Sequence, residues 1–225
     1  MDNNLKVISF SLYGDNPKYT TGLINNVLLA EYFYPGWNIY IYFNNTVPTK
    51  ILNELSSNKL VKLFDMSNSN IPGMFWRFLV HDEENVELFI VRDSDSRLSL
   101  RESIAVHNWI SSNKKLHIMR DHPHHTFKIL GGMWGMRVSD IIMSELVIDY
   151  LKKIGEVFSY DMREIDQSFL KDIIYKKYWY SSMIHAEYNR YEFWSKKFPV
   201  ERVFSHFVGE IFDECDVRTD HYKLL

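Results

Sequence analysis

The stretch Val86-Glu-Leu-Phe-Ile-Val-Arg-Asp-Ser-Asp-Ser-Arg97 decides how this chain reads. Its apolar half, Val86–Val91, predicts a buried strand, because a short continuous apolar run suits a strand covered on both faces. The strand leads into two aspartates one residue apart, Asp93 and Asp95. At i and i+2 on extended backbone, both carboxylates project to one side. Open α/β sheets bind ligands at this carboxyl end. Two hard oxygen donors there suit Mg²⁺ or Mn²⁺, and a divalent ion suits a diphosphate. The triplet alone is weak. Aspartate is about one residue in sixteen, so Asp-x-Asp arises by chance about once in a few hundred residues. Its context has to carry the weight.

Upstream, Lys6–Leu12 predicts a first strand, closed by Ser11, Leu12, Tyr13 and Gly14. Thr20–Tyr34 has helical spacing, with Leu23, Val27 and Ala30 on one face, and Pro35-Gly36 stops it. Trp37–Phe43 and Val61–Phe64 read as strands, Pro48–Leu55 and Met74–His81 as helices. The order β-α-β-α-β-α-β predicts an α/β fold with a central, mostly parallel sheet flanked by helices. Downstream come a helix at Leu100–Ser112, a strand at Lys115–Arg120 and the loop His122-Pro-His-His125. A glycine cluster, Gly131, Gly132 and Gly135, follows around Trp134. Helices are expected at Ile141–Ile154, ended by Gly155, and at Ile165–Tyr175. Tyr175–Phe198 is crowded with aromatic residues and shows no clear period, and Val203–Val208 predicts a late strand.

Bulk properties exclude several classes. With 225 residues, 46% hydrophobic and 16% aromatic, the chain suits a single globular domain over 1–225. A net charge of −3 without a basic block argues against nucleic acid. One cysteine, Cys215, permits no internal disulfide and fits a reducing compartment. No apolar run approaches the ~20 residues that span a membrane. The start, Met-Asp-Asn-Asn-Leu-Lys6, carries no leader pattern, so the expected location is cytoplasmic.

Three groups of residues carry a family resemblance: Asp93-Ser-Asp95, Asp166-Gln167-x-x-Leu170 and His206-Phe-Val-Gly209. In order and rough spacing they resemble the motifs of GT-A nucleotide-sugar glycosyltransferases of the glycogenin and lipopolysaccharide-galactosyltransferase group. A longer block, with His117-Ile-Met-Arg-Asp-His-Pro123 and Leu130-Gly-Gly-Met-Trp-Gly135, resembles small glycosyltransferase-like proteins of bacteria and large DNA viruses. The resemblance implies a GT-A (Rossmann-like) domain with a nucleotide-binding half, 1–97, and a sugar and acceptor half, 98–225. It implies Mn²⁺ or Mg²⁺ on Asp93, Asp95 and His206, a nucleotide-sugar donor of the UDP-sugar type, and a glycan, protein or small-molecule acceptor. Two departures stand out. Glu210-Ile-Phe replaces the group's Lys-Pro-Trp, and Ser11-Leu-Tyr-Gly14 replaces its acidic loop.

Each remaining residue has a plain reading beside the functional one. Tyr13 could stack on a base or simply close a turn, and Gly209 admits close backbone approach to a phosphate. His206 is either a packed strand residue or the third metal ligand. Arg77 offers a fork for paired oxygens or lies along the surface. Arg92, Ser94 and Arg97 flank or separate the aspartates. Asp121 could bind sugar hydroxyls or act as general base in an inverting enzyme. Gly131, Gly132 and Trp134 form either a sugar wall or a tight turn with a core tryptophan. Asp166 and Gln167 either cap a helix or face the reacting sugar of a retaining enzyme. Part of the aromatic belt is expected to be an acceptor surface or a homodimer contact. The rival readings are a sugar-nucleotidyltransferase, another metal-dependent nucleotide enzyme, and an inactive binding scaffold of the same shape.

Overall fold

A computed structural model describes residues 4–155 and 164–225. β1 (Leu5–Leu12), α1 (Pro17–Phe33), β2 (Asn38–Phe43), α2 (Thr49–Ser56) and β3 (Val61–Asp65) alternate as the sequence predicts. The expected helix at Met74–His81 is instead a single turn, α3 (Gly73–Trp76), followed by a 3₁₀ turn, Leu79–Asp82. β4 (Val86–Val91) and α4 (Leu100–Ser111) follow. β5 (Leu116–Arg120), β6 (Trp134–Arg137), α5 (Met143–Gly155) and α6 (Ile165–Phe169) come next. A π-helical stretch, Leu170–Tyr175, joins α6 to α7 (Lys176–Tyr178), and β7 (Ser182–Ala186) closes the set. Residues 1–3, on which the expectation about a leader partly rests, lie outside the described residues, and α5 runs to Gly155, the glycine expected to end it.

One seven-stranded sheet runs β3-β2-β1-β4-β6-β5-β7. β1 pairs in parallel with both β2 and β4, and β2 with β3. The chain steps outward from β1 to β3, then returns to the other side of β1 as β4. That reversal is a topological switch point, and its crevice lies at the carboxyl ends of β1 and β4. The aspartates leave β4 at this place.

The alternation of β1 shows why the sheet is covered on both faces. Ile8, Phe10 and Leu12 pack with Leu23, Val27 and Trp109 on one side. Val7 packs with Phe75, Phe89 and Trp134 on the other. Side chains two apart share a face, so one strand feeds two cores.

Two strands escaped the sequence reading. β6 is only four residues long and contains Gly135. A Cβ at Gly135 would lie 2.7 Å from the Phe89 carbonyl oxygen, so glycine is required there. β6 runs antiparallel to both β4 and β5. β7 sits inside the aromatic stretch and pairs in parallel with β5. The expected strand at Val203–Val208 does not form. Phe204 and Ser205 take φ of 50° and 60°, outside the extended region. Arg218 donates to the Phe204 and Ser205 carbonyls at 3.0 and 2.9 Å, where a strand ladder would have been. No described helix is long and apolar enough to cross a membrane.

Buried histidines give the fold an acid weakness. His117 Nε2 and His185 Nδ1 share one proton at 2.9 Å. His125 Nδ1 accepts the Asp121 backbone N–H at 3.0 Å, so it cannot also carry a proton. Burial holds all three imidazoles below their usual range: His117 well below, His185 at about 4, His125 at about 3. The unfolded chain protonates these groups near 6.5, whereas the folded chain resists until far lower pH. Stability is therefore full above pH 6.5 and falls as pH drops toward 4, by about 1.4 kcal/mol per pH unit for each histidine. Urea midpoints at pH 7, 6 and 5 measure this; a midpoint flat across that window would contradict it.

Candidate active site

A cavity of about 540 Å³ opens at the switch point, within the size range of small-ligand sites. One wall comes from the end of β1 and the turn after it, with Ser11, Leu12 and Tyr13. A second comes from the loop after β4, with Asp93, Ser94, Asp95 and Ser96. Arg77, Gly131, Asp166 and Gln167 close a third. His122, His124, His125, Phe207 and His221 also line the cavity.

Backbone constraints place the aspartates. The Ser96 N–H and hydroxyl both donate to the Asp93 carbonyl, at 3.3 and 2.9 Å, turning the chain tightly. Buried Asn26 on α1 staples the loop. Its amide donates to the Ser96 carbonyl at 2.7 Å and its oxygen accepts from Leu98 N–H at 3.0 Å. Gly22 lets α1 come this close, since a Cβ there would overlap the Ser94 carbonyl oxygen. The Phe212 N–H donates to the Asp95 carbonyl at 2.9 Å, so the C-terminal segment crosses over the same loop.

The carboxylates are held in contact with cations. Lys18 Nζ lies 2.8 Å from Asp95 Oδ2. Arg77 pairs through one nitrogen with Asp93 and through the other with Asp166, the latter at 3.2 Å. Arg77 is itself fixed by β1: Ser11 Oγ accepts its backbone N–H at 3.0 Å, and Ser9 Oγ donates to its carbonyl at 2.7 Å. Burial, and then the adjacent Asp93 charge, pushes the Asp95 carboxyl up against the pull of Lys18. Burial likewise raises Asp166, opposed by Arg77. Neighbouring carboxylates in a partly dry cleft invite a cation, and oxygen donors suit a hard one. Asp93, with its side chain 44% exposed, has room for such a ligand.

Several expected site residues do other work. Asp121 is fully buried and accepts hydrogen bonds from Arg101, Arg202 and the Val208 N–H, so it presents no free oxygen as a base. Arg92 is buried, with its Nε 2.6 Å from Glu102, which also accepts from the Tyr34 hydroxyl; it ties β4 to α4 and α1. Trp134 is buried edge-on between Phe78 and Phe89 and is no sugar wall; Leu130, Gly131 and Met133 face the cavity instead. Arg97 turns to Asp216 and the Ser94 and Ser96 carbonyls. Gly14 lies outside the lining and donates to Thr46 Oγ1 at 2.7 Å. Gly132 does not line the cavity either, but backs directly onto Asp93.

His206 is not brought to the aspartates. Its Nδ1 contacts Glu210 Oε2 at 2.6 Å, its side chain is half exposed, and it is absent from the cavity wall. Among the described residues no three histidine, cysteine or acidic side chains are gathered to share a metal ion. From that late motif, Phe207 and Gly209 reach the cavity. Phe207 stacks on His122 with ring centroids 4.6 Å apart. The sequence reading also missed Lys18, Asn26 and His221. Only the Asn-Pro-Lys turn that begins α1 hinted that Lys18 would stand near the first loop.

No family model and no curated protein matches the sequence. Solved structures do resemble it. Residues 1–349 of TarS from S. aureus superpose with a TM-score of 0.51 at 16% identity, covering 82% of this chain and 58% of that one. The 4-diphosphocytidyl-2C-methyl-D-erythritol synthase of Anaerococcus prevotii gives 0.53 at 9% identity, covering 87% and 94%. Mannosyltransferase PcManGT of Pyrobaculum calidifontis, solved with GDP-Man and Mn²⁺, gives 0.52 at 11% identity, covering 82% and 55%. The chain thus spans little more than half the length of TarS 1–349 and of PcManGT. The likeness is one of fold: a single α/β domain of the GT-A type, with a mixed sheet and a crevice at the switch point.

Proposed function

We propose that this chain is a metal-dependent glycosyltransferase that moves a sugar from a nucleoside-diphosphate sugar, of the UDP-sugar type, to an acceptor hydroxyl. The carrying observation is the meeting of Asp93, Asp95, Arg77 and Asp166 in one cavity at the switch point. Asp93 and Asp95 would hold Mn²⁺ or Mg²⁺, with the donor's phosphate oxygens and water supplying the remaining ligands that His206 does not. Such an ion neutralises charge that grows on the diphosphate leaving group. Ser11, Leu12 and Tyr13 line the nucleotide side; Tyr13 meets Trp76 edge-on at 5.9 Å, which steadies its ring. Arg77 is placed to orient phosphate or sugar oxygens. Asp166, paired with Arg77, and Gln167 line the same cavity, and in this reading they would face the reacting sugar of a retaining enzyme. The histidine side is left for the acceptor.

A second reading, a nucleotidyltransferase, is supported by the diphosphocytidyl synthase, nearly all of which this chain covers. One experiment separates the readings. Calorimetry with UDP should show binding at least about tenfold tighter with Mn²⁺ than with EDTA, a gain worth about 1.4 kcal/mol. Asp95→Ala should remove the metal-dependent part. Sugar transfer or slow hydrolysis of a UDP-sugar, measured in the same samples, supports the transferase. Pyrophosphate release from a nucleoside triphosphate plus a sugar phosphate supports the alternative. UDP binding indifferent to metal would remove the metal-dependent reading.

A further inference from the structure

The far edge of the sheet carries a second concavity, of about 490 Å³. Trp179, Tyr180, Phe193 and Trp194 line it, and so do Lys114 and Lys196. Phe193 is 97% exposed, Tyr180 65% and Trp179 45%. The rings brace one another: Trp194 lies 5.5 Å from Trp179 and 4.9 Å from Phe193. So much clustered aromatic surface in water marks a contact site. Two more lysines lie on the adjoining segments: Lys115 and Lys177 are exposed, each with its ammonium over the ring of Tyr178, which precedes Trp179. The acidic residues of the flanking segments are already engaged, Asp172 with Lys176 and buried Glu192 with Arg120.

We propose that this patch docks the protein on an anionic lipid surface. Charge decides between occupants. In a symmetric pair the same patch would face itself, setting lysines against lysines. A neutral glycan would leave the lysine charges without a role, and the Trp194 indole N–H and Ser182 hydroxyl of the lining are already spent, on Ser182 Oγ and the Trp179 carbonyl. An anionic bilayer uses both features: aromatic rings settle at the headgroup level, and each lysine near the surface adds electrostatic attraction. The patch lies at the amino ends of β5 and β7, which run parallel to β1 and β4. The candidate active site lies at the carboxyl ends of β1 and β4. Docking therefore leaves the active-site cavity open to solvent.

Vesicle flotation of the whole chain tests this. The native protein should float with vesicles of phosphatidylcholine and phosphatidylglycerol, less so at high salt, and not with phosphatidylcholine alone. Lys114→Gln with Lys196→Gln should weaken partitioning about thirtyfold. Phe193→Ser with Trp179→Ser should weaken it about tenfold or more. Unchanged thermal midpoints would show that these exposed substitutions leave the fold intact. No flotation on anionic vesicles overturns the proposal. So does flotation that neither double variant reduces, or a native dimer that Phe193→Ser dissociates.

Discussion

Replacing Asp121 with alanine should lower stability by about 3–5 kcal/mol, the usual cost of removing one partner from a buried ion pair. In a chain of this length that is a fall of roughly 6–20 °C in melting temperature. The reason lies in what would be left behind. Arg101 reaches both Asp121 oxygens at 2.8 Å, and Arg202 donates to one of them at 2.8 Å. Removing the carboxylate takes the main counter-charge from two guanidiniums: Arg101, its side chain 8% exposed, is left with Glu187 at 3.2 Å and the Val200 carbonyl, and Arg202 with the main-chain carbonyl of residue 121 and the Tyr188 hydroxyl. The Val208 N–H, 2.9 Å from Asp121 Oδ2, also loses its acceptor. Val208 lies between Phe207 and Gly209, which face the cavity, so ligand affinity should weaken along with the fold. Asp121→Asn keeps the shape but points an amide at cations, and should recover less than half of the loss. Differential scanning calorimetry decides the matter. A general base would give the opposite pattern: a large fall in kcat at an unchanged melting temperature.

That aspartate shows where sequence reading stops. The strand–Asp-x-Asp geometry was legible because it is local: strand period and two carboxylates at i and i+2 need no distant partner. The same holds for the alternating β-α units, whose apolar periodicity fixed the order of the first four strands. What stayed hidden was partner choice across long separations. Nothing local to Asn26 shows that it will bind the Ser96 carbonyl, 70 residues away. Arg92 and Arg97 flank the motif in sequence, yet one turns inward to Glu102 and the other outward to Asp216. His206 has apolar neighbours like those of a strand. Its segment folds as a turn because Arg218, twelve positions on, captures the carbonyls that a ladder would have used. Gly135 stands in a glycine cluster with no strand period, yet it admits the short strand β6 against β4.

Gly132→Ala should be nearly as damaging to activity as removing Asp93 itself, a loss on the order of 10²–10³-fold in kcat/KM. The argument is steric. A Cβ at position 132 would overlap the Asp93 carboxylate and come within 2.8 Å of the Asp93 backbone nitrogen. A carboxylate can swing aside, but the backbone of a strand-end loop stapled by Ser96 and Asn26 cannot. Asp93 must therefore leave its place beside Arg77, at a stability cost of about 1–3 kcal/mol typical of overpacking. Gly131→Ala makes a useful contrast. Its Cβ would meet the tips of the Asp166 and Arg77 side chains and no backbone atom, so those ends can yield, and the loss should be milder. UDP binding with and without Mn²⁺, measured on both variants beside Asp93→Ala, tests the ranking. In Gly132→Ala the metal-dependent part of binding should vanish while the chain still melts cooperatively. If Gly132→Ala kept metal-dependent UDP binding at native strength, the position of Asp93 would not matter to the donor, and the Asp93–Asp95 pair would lose its claim as the metal-binding element.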